Sequence, residues 1–376
     1  MRFLTFIIKN LVRRPMRSCL TLLGVALAVG AVVALVGISR GFVDSFVHLY
    51  DERGVDLVVV RSGVTERLTS ALDEKLGAQI RDVPGVKYVS GALMDVVSFP
   101  DLNLFGVPIM GWKSDSFLFD KLKIVSGRQF NDQDGRVVML GDVLAKNLGK
   151  STGDTLDVME DEPFHVVGVF QSFSVLENAS MIVSLGELQR LMDRPGRVNA
   201  FDVIADSAED KAAINGLREK IEGLAPGLSV MSTHDFVTSN TQIRLARAMA
   251  WMTSIIALVI GSVGVLNTMV MSVFERTQEI GILRAIGWRK SRIMRMILME
   301  SVLLSLTGAA VGTLGALAVT RFLSRLPSSS GMISGDISLP VIGQGLLIAL
   351  VLGLLGGGYP ALHGAHLQPT EAIRHE

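Results

Sequence analysis

Lys146-Asn147-Leu148-Gly149-Lys150-Ser151 comes one glycine short of a phosphate-binding loop. Such a loop needs glycine five positions before the glycine of Gly-Lys-Ser, so that consecutive backbone N–H groups can wrap a phosphate. Leu144 holds that position, and the segment is not read as a nucleotide site. No second nucleotide-binding pattern occurs, so the chain is not expected to hydrolyse ATP, to act as an enzyme or to bind a cofactor itself. The histidines are His48, His165, His234, His363, His366 and His375. Only His363 and His366 lie close together, and with a single cysteine and no carboxylate pair nearby they read as polar residues of the tail, not as metal ligands. No serine is flanked as in a nucleophile elbow. Glu300 is the ionisable side chain that stands out, because it lies about one turn inside an apolar run. A carboxylate there is costly and takes either an anchoring role, with Arg295 or a headgroup in reach, or a role in transport. Anchoring is the preferred reading.

The elements that position these residues are apolar runs long enough to cross a bilayer. Of 376 residues 49% are hydrophobic, and lysine plus arginine balance aspartate plus glutamate at 36 each. That neutral balance gives no sign of a nucleic-acid partner. Mean hydropathy is +0.44, concentrated at the N-terminus and in the last third. Residues 1–17 interleave Arg2, Lys9, Arg13, Arg14 and Arg17 with apolar side chains, the pattern of an amphipathic helix on a membrane surface. Cys19 to Ile38 carries no charge, and about 20 such residues span the hydrocarbon. The run exceeds the h-region of a signal peptide, so it reads as an uncleaved first span over 18–40. Further spans are expected over 246–274, 293–320 and 340–362. Asn267 and Thr268 are the polar pair inside the second, and Gly356-Gly357-Gly358-Tyr359-Pro360 is expected to break the fourth near its end. Cys19 being the single cysteine, no intrachain disulfide can form.

Residues 41–245 read as one α+β block or two small subdomains. Strand-like runs at Leu57–Val60, Val86–Val89, Val137–Leu140, Phe164–Phe170 and Ala200–Ile204 alternate with helical patterns at Thr69–Ile80, Asp142–Leu148, Leu185–Met192 and Ala208–Leu224. The basic residues set the orientation. Residues 1–17 have five, while Arg276, Arg284, Arg289, Lys290, Arg292 and Arg295 lie between the second and third spans. The 321–339 loop has only Arg321 and Arg325. Both termini, including the 363–376 tail, are therefore expected in the cytoplasm, with 41–245 and 321–339 outside.

Between spans two and three, Glu275-Arg276-Thr277-Gln278-Glu279-Ile280-Gly281-Ile282-Leu283-Arg284-Ala285-Ile286-Gly287 mixes charge with an apolar set at Ile280, Leu283, Ile286 and Gly287. That is the spacing of a short amphipathic helix. Pinned by two spans, it is either a solvated loop or a helix that passes a push into the bilayer. The stretch resembles the coupling-helix signature of the FtsX/MacB/LolC-LolE superfamily of ABC-transporter permeases. Arg136 to Asp154 with Phe164 to Phe170 resembles the extracytoplasmic domain of MacB-like members. Pro369-Thr370-Glu371-Ala372-Ile373-Arg374 resembles the family's ending, with histidines where relatives carry arginines.

The resemblance implies a multi-pass α-helical protein of the bacterial inner (cytoplasmic) membrane, with four transmembrane helices and one large extracytoplasmic α+β domain between the first two. It implies that 275–292 docks on a separate cytoplasmic ABC ATPase, where ATP and Mg would bind, through Glu275, Arg276, Glu279, Ile280, Gly281, Leu283, Arg284, Ala285, Ile286 and Gly287, with Ile280, Leu283 and Ile286 as the docking face. Its function would be mechanotransmission, driving export or lipoprotein or amphiphile release. The alternative is an FtsX-like signalling subunit that activates a partner such as a cell-wall hydrolase. Further partners implied are a second copy or a related permease, and a periplasmic adaptor or lipoprotein carrier. The pairs Gly37/Gly41, Gly308/Gly312 and Gly353/Gly357 permit close helix approach, between copies or within one.

Overall fold

Hydrophobic runs too long for any globular core decide the first half of the architecture. The computed structural model describes residues 15–63, 67–159, 162–207, 210–239, 241–326 and 337–367. Among these, four helices are long and apolar enough to cross a membrane. They are α1 (Pro15–Arg53), α8 (Thr241–Glu275), α10 (Lys290–Leu323) and α11 (Leu339–His366), with the short α9 (Thr277–Ala285) between α8 and α10. Most of the amphipathic 1–17 segment, the centre of the 321–339 loop and the tail from Gln368 lie outside the described residues.

The chain divides into two units: one holds the helical spans, and the other is Arg40–Leu245 with a short stretch after the third span. In the helical unit, small residues let backbones meet. A side chain on Gly312 would collide with the carbonyl of Ala26, and one on Gly308 with Val25. Across α10 and α11, Gly353 faces Val302, Gly357 faces Ser301, and the Ser301 hydroxyl donates to the Gly353 carbonyl at 2.7 Å. The latter two glycine pairs therefore serve packing within one chain. Gly37 packs on Ile337, with Gly41 one turn further along α1. The fourth span is not broken where expected, since α11 runs through Pro360 to His366. Gly356 and Gly357 sit against Val265 and Ser301, and that packing outweighs the weak helix propensity of the stretch. Thr21 and Thr268 join α1 to α8 by a 2.6 Å hydroxyl contact, whereas Asn267 faces outward.

The second unit follows from alternating β-branched runs. Its elements are β1 (Leu57–Arg61), β2 (Leu72–Asp73), α2 (Leu76–Arg81), β3 (Val86–Phe99), β4 (Leu104–Trp112), β5 (Lys123–Gly127), β6 (Val137–Gly141), α3 (Asp142–Leu148), β7 (Thr155–Met159), β8 (Glu162–Gln171), α4 (Val175–Asn178), β9 (Met181–Ser184), α5 (Leu185–Leu191), β10 (Arg197–Val198), β11 (Ala200–Ala205), α6 (Lys211–Glu222), β12 (Leu228–Ser232) and α7 (Thr233–Ser239). One sheet runs β12-β1-β11-β3-β4-β9-β6-β8-β5, with β7 on β8. The 14-residue β3 pairs β11 through its first half and β4 through its second. Two half-sheets thus share a strand within one continuous sheet. The helix expected over Thr69–Ile80 shrinks to α2, because Leu72 and Asp73 pair instead with Val198 and Arg197.

Candidate coupling site

The coupling stretch forms a helix that the chain itself starts and stops. Arg276 leaves helical geometry at φ −114°, ψ 19°, separating α8 from α9. At the other end the Trp288 N–H bonds the Leu283 carbonyl and the Gly287 N–H bonds the Arg284 carbonyl, both at 3.0 Å. This paired closure needs a left-handed residue, and Gly287 supplies it at φ 100°. Arg284 donates to the Trp288 carbonyl at 3.1 Å, and Arg292 stacks over the Trp288 ring at 4.2 Å. The turn into α10 is thereby fixed.

Ile280, Leu283 and Ile286 do not form one exposed face. Ile280 is 2% exposed and Gly281 is buried, and Leu283 is half-buried in the same apolar cluster as Val273, Ile293 and Ile297. These residues face the spans. Ile282 (51% exposed) and Ile286 (73%) lie outward instead, at helical spacing from the exposed Glu279. Both stripes have helical spacing, and the more apolar one is claimed by the bundle. Ala285 and Gly287 are exposed beside the outer row.

Arg276 ties this helix to the third span. Its Nη1 donates to Glu300 at 3.0 Å and its Nε to Glu279 at 3.3 Å. Glu300 is buried, and its partner is Arg276; Arg295 lies exposed. Nothing in the sequence near Glu300 could have named that partner, which arrives from the far end of α8. His363 lies in α11 among aromatic rings, 5.7 Å from Phe274 and 6.2 Å from Tyr359 between centroids. The near-miss phosphate loop is a helix end: Gly149 caps α3 at φ 62°, and Ser151 turns its hydroxyl and N–H onto Asp154.

The signature of the MacB-like periplasmic core domain matches residues 18–222, and that of the FtsX-like permease C-terminal region matches 251–369. The chain is an ABC-transporter permease of the MacB/FtsX family. It is 27% identical to the uncharacterized ABC transporter permease YknZ of Bacillus subtilis, covering 98% of both chains. It is 26% identical to the macrolide export ATP-binding/permease protein MacB of Nitrobacter winogradskyi, covering 96% of this chain but 58% of that one. The crystal structure of the periplasmic region of MacB from Actinobacillus actinomycetemcomitans is similar at TM-score 0.39 and 16% identity, covering 48% of this chain and 91% of that one. The extracellular domain of a YknZ from Gram-positive bacteria gives 0.36 and 17%, covering 47% and 99%. Membership, with four apolar helices, makes this MacB/FtsX-like permease a multi-pass protein of the inner membrane with an extracytoplasmic α/β domain. It also implies a cytoplasmic ATPase partner.

Proposed function

We propose that this permease couples ATP hydrolysis by a separate cytoplasmic ATPase to movements of its outer domain, driving export or release of an amphiphile or lipoprotein. The observation that carries this reading is the division of α9 into two faces. Ile280 and Leu283 fasten the helix to the spans, while Ile282 and Ile286 remain exposed beside the Glu279 carboxylate. A solvated loop has no need of exposed isoleucines in register. The ATPase would dock on this row, and its closure would move α9, the spans behind it and, through α1 and α8, the outer domain. Two copies, or this chain and a related permease, would frame the two ATPases, with both termini in the cytoplasm. The outward Asn267, a polar amide in an apolar span, supports a second chain there. An adaptor or lipoprotein carrier outside would complete the path.

The test is reconstitution with the ATPase in lipid nanodiscs. The permease should stimulate ATP turnover, and spin labels on two outer domains should change separation when ATP binds without hydrolysis. Unchanged turnover and unchanged distances together would sink the reading.

A further inference from the structure

Within the α/β unit, the last turns of α1 form one wall of a partly enclosed cavity of about 140 Å³. Phe42, Phe46 and Tyr50 of α1, Phe236 of α7, and Met110 and Trp112 of β4 line it. The rings hold one another: Phe42 meets Phe46 edge-on at 5.0 Å and Tyr50 meets Phe236 edge-on at 6.3 Å. Such a lining is already shaped and does not need to collapse around a guest.

The polar corner decides what kind of guest fits. Arg53 donates to Glu177, and both side chains are almost wholly buried, at 7% and 2% exposure. The Arg53 guanidinium also lies 4.8 Å over the Trp112 ring, and Glu177 takes a further hydrogen bond from the Ser172 hydroxyl. Arg53 and Glu177 satisfy each other, and the buried Asp202 carboxylate and Ser180 hydroxyl also line the space. A charged guest would have to compete with a buried pair, and parting such a pair strands one of its members. A neutral apolar guest leaves it alone. A dry cavity of about 150 Å³ accepts a benzene ring, so the space suits one ring or an alkyl end of similar bulk.

We propose that this cavity binds a single neutral aromatic ring, or a branched alkyl group of the same size, carried by an amphipathic small molecule. As a statement about cargo this rests on the export reading, but the binding itself does not. The site is placed to matter, because one wall is the helix that also forms the first span.

The test uses the full chain in lipid nanodiscs, with no ATPase and no nucleotide, so its outcome is separate from that of the coupling experiment. The sequence has three tryptophans, and Trp251→Phe with Trp288→Phe leaves Trp112 as the sole reporter. Bromobenzene, whose heavy atom quenches indole on contact, should quench Trp112 saturably. Benzene should displace it, and benzenesulfonate, the same ring with a charge, should not. Met110 of β4 and Leu176 of α4 both line the cavity, so Met110→Phe and Leu176→Phe fill it from different walls, and whichever folds by circular dichroism should weaken quenching at least tenfold. Quenching that rises linearly without saturation overturns the proposal. So does displacement by benzenesulfonate as effective as by benzene, or saturable quenching untouched in a folded filling variant.

Discussion

Arg276 and Glu300 meet at 3.0 Å where the coupling helix leaves the second span, and they lie 24 residues apart in sequence. The pair is unequal in its alternatives. Arg276 keeps Glu279 as a second acceptor, whereas Glu300 is held in the bundle with Arg276 as its ion-pair partner. Removing one member of a buried pair typically costs about 3–5 kcal/mol, while replacing both with apolar residues is often neutral. Arg276→Met should therefore lower thermal stability in detergent more than Glu300→Met, and the double variant should recover most of the loss. Equal and additive losses would show that the pair is not coupled.

A second prediction separates close helix approach from helix propensity. Gly312 lies against the Ala26 carbonyl, whereas Gly315, one turn on, has open space where a side chain would stand. Gly312→Ala should destabilise the bundle, since overpacking costs about 1–3 kcal/mol. Gly315→Ala should leave it unchanged or raise its stability by roughly 0.5–1 kcal/mol. Melting both variants in the same detergent checks the pair, and a loss at Gly315 as large as at Gly312 would contradict the assignment.

The sequence made the spans, the family and the register of the amphipathic stretch legible, because long apolar runs and 3.6-residue spacing are local properties. Which side of α9 faces the bundle was not legible. Ile280/Leu283 and Ile282/Ile286 both keep helical spacing, and only packing against Val273 and Ile297 chooses between them. The outer domain shows the same limit. The strand-like run Val86–Val89 is only the start of β3, which continues through Ser90 and Gly91 to Phe99, and β4 has no counterpart among the strand-like runs, its stretch containing Gly106 and Pro108. Gly106 does take a positive φ of 68°, yet Leu93 to Val97 pair across to Val107 to Gly111. Arg53 and Glu177 are 124 residues apart, beyond any pattern a single chain displays.

The third prediction concerns acid. Arg128 forks onto Asp134 at 2.6 and 2.9 Å, and the Asn131 N–H adds a bond at 2.7 Å. The Arg128 hydrogen bonds, followed by that N–H, bring the Asp134 carboxyl down to about 2 from an ordinary 3.8. A depressed folded-state pKa gives stability that is present above the unfolded value and lost as pH falls through the folded one. Residues 40–245 form a unit with its own core, so this fragment should fold alone and melt cooperatively without dependence on reductant. Asp134→Asn should melt below the wild type at pH 6, with the gap closing between about pH 4 and pH 2. A gap that persists at pH 2 would assign the difference to something other than the carboxylate.

The last prediction separates the two faces of the coupling helix. Ile282 and Ile286 touch little of the chain's own bundle, so an aspartate at either site displaces no internal packing, and folding should be unaffected. If the ATPase covers this row, the same charge is buried on docking without a partner. Such burial costs several kcal/mol, and 1.4 kcal/mol is already tenfold in affinity. Ile286→Asp should therefore keep the melting temperature and membrane insertion of the wild type, yet lose at least tenfold in ATPase capture. Ile280→Asp puts its charge among Val273 and Ile293 and should destabilise the bundle itself. Leu283→Asp, half-buried on the same side, should do so more mildly. Glu279→Ala removes an exposed charge and should weaken docking only slightly. Capture by pull-down and stability by melting, measured on each variant, give two columns that should move independently. An Ile286→Asp permease that captures the ATPase like the wild type would remove the exposed row as the docking surface.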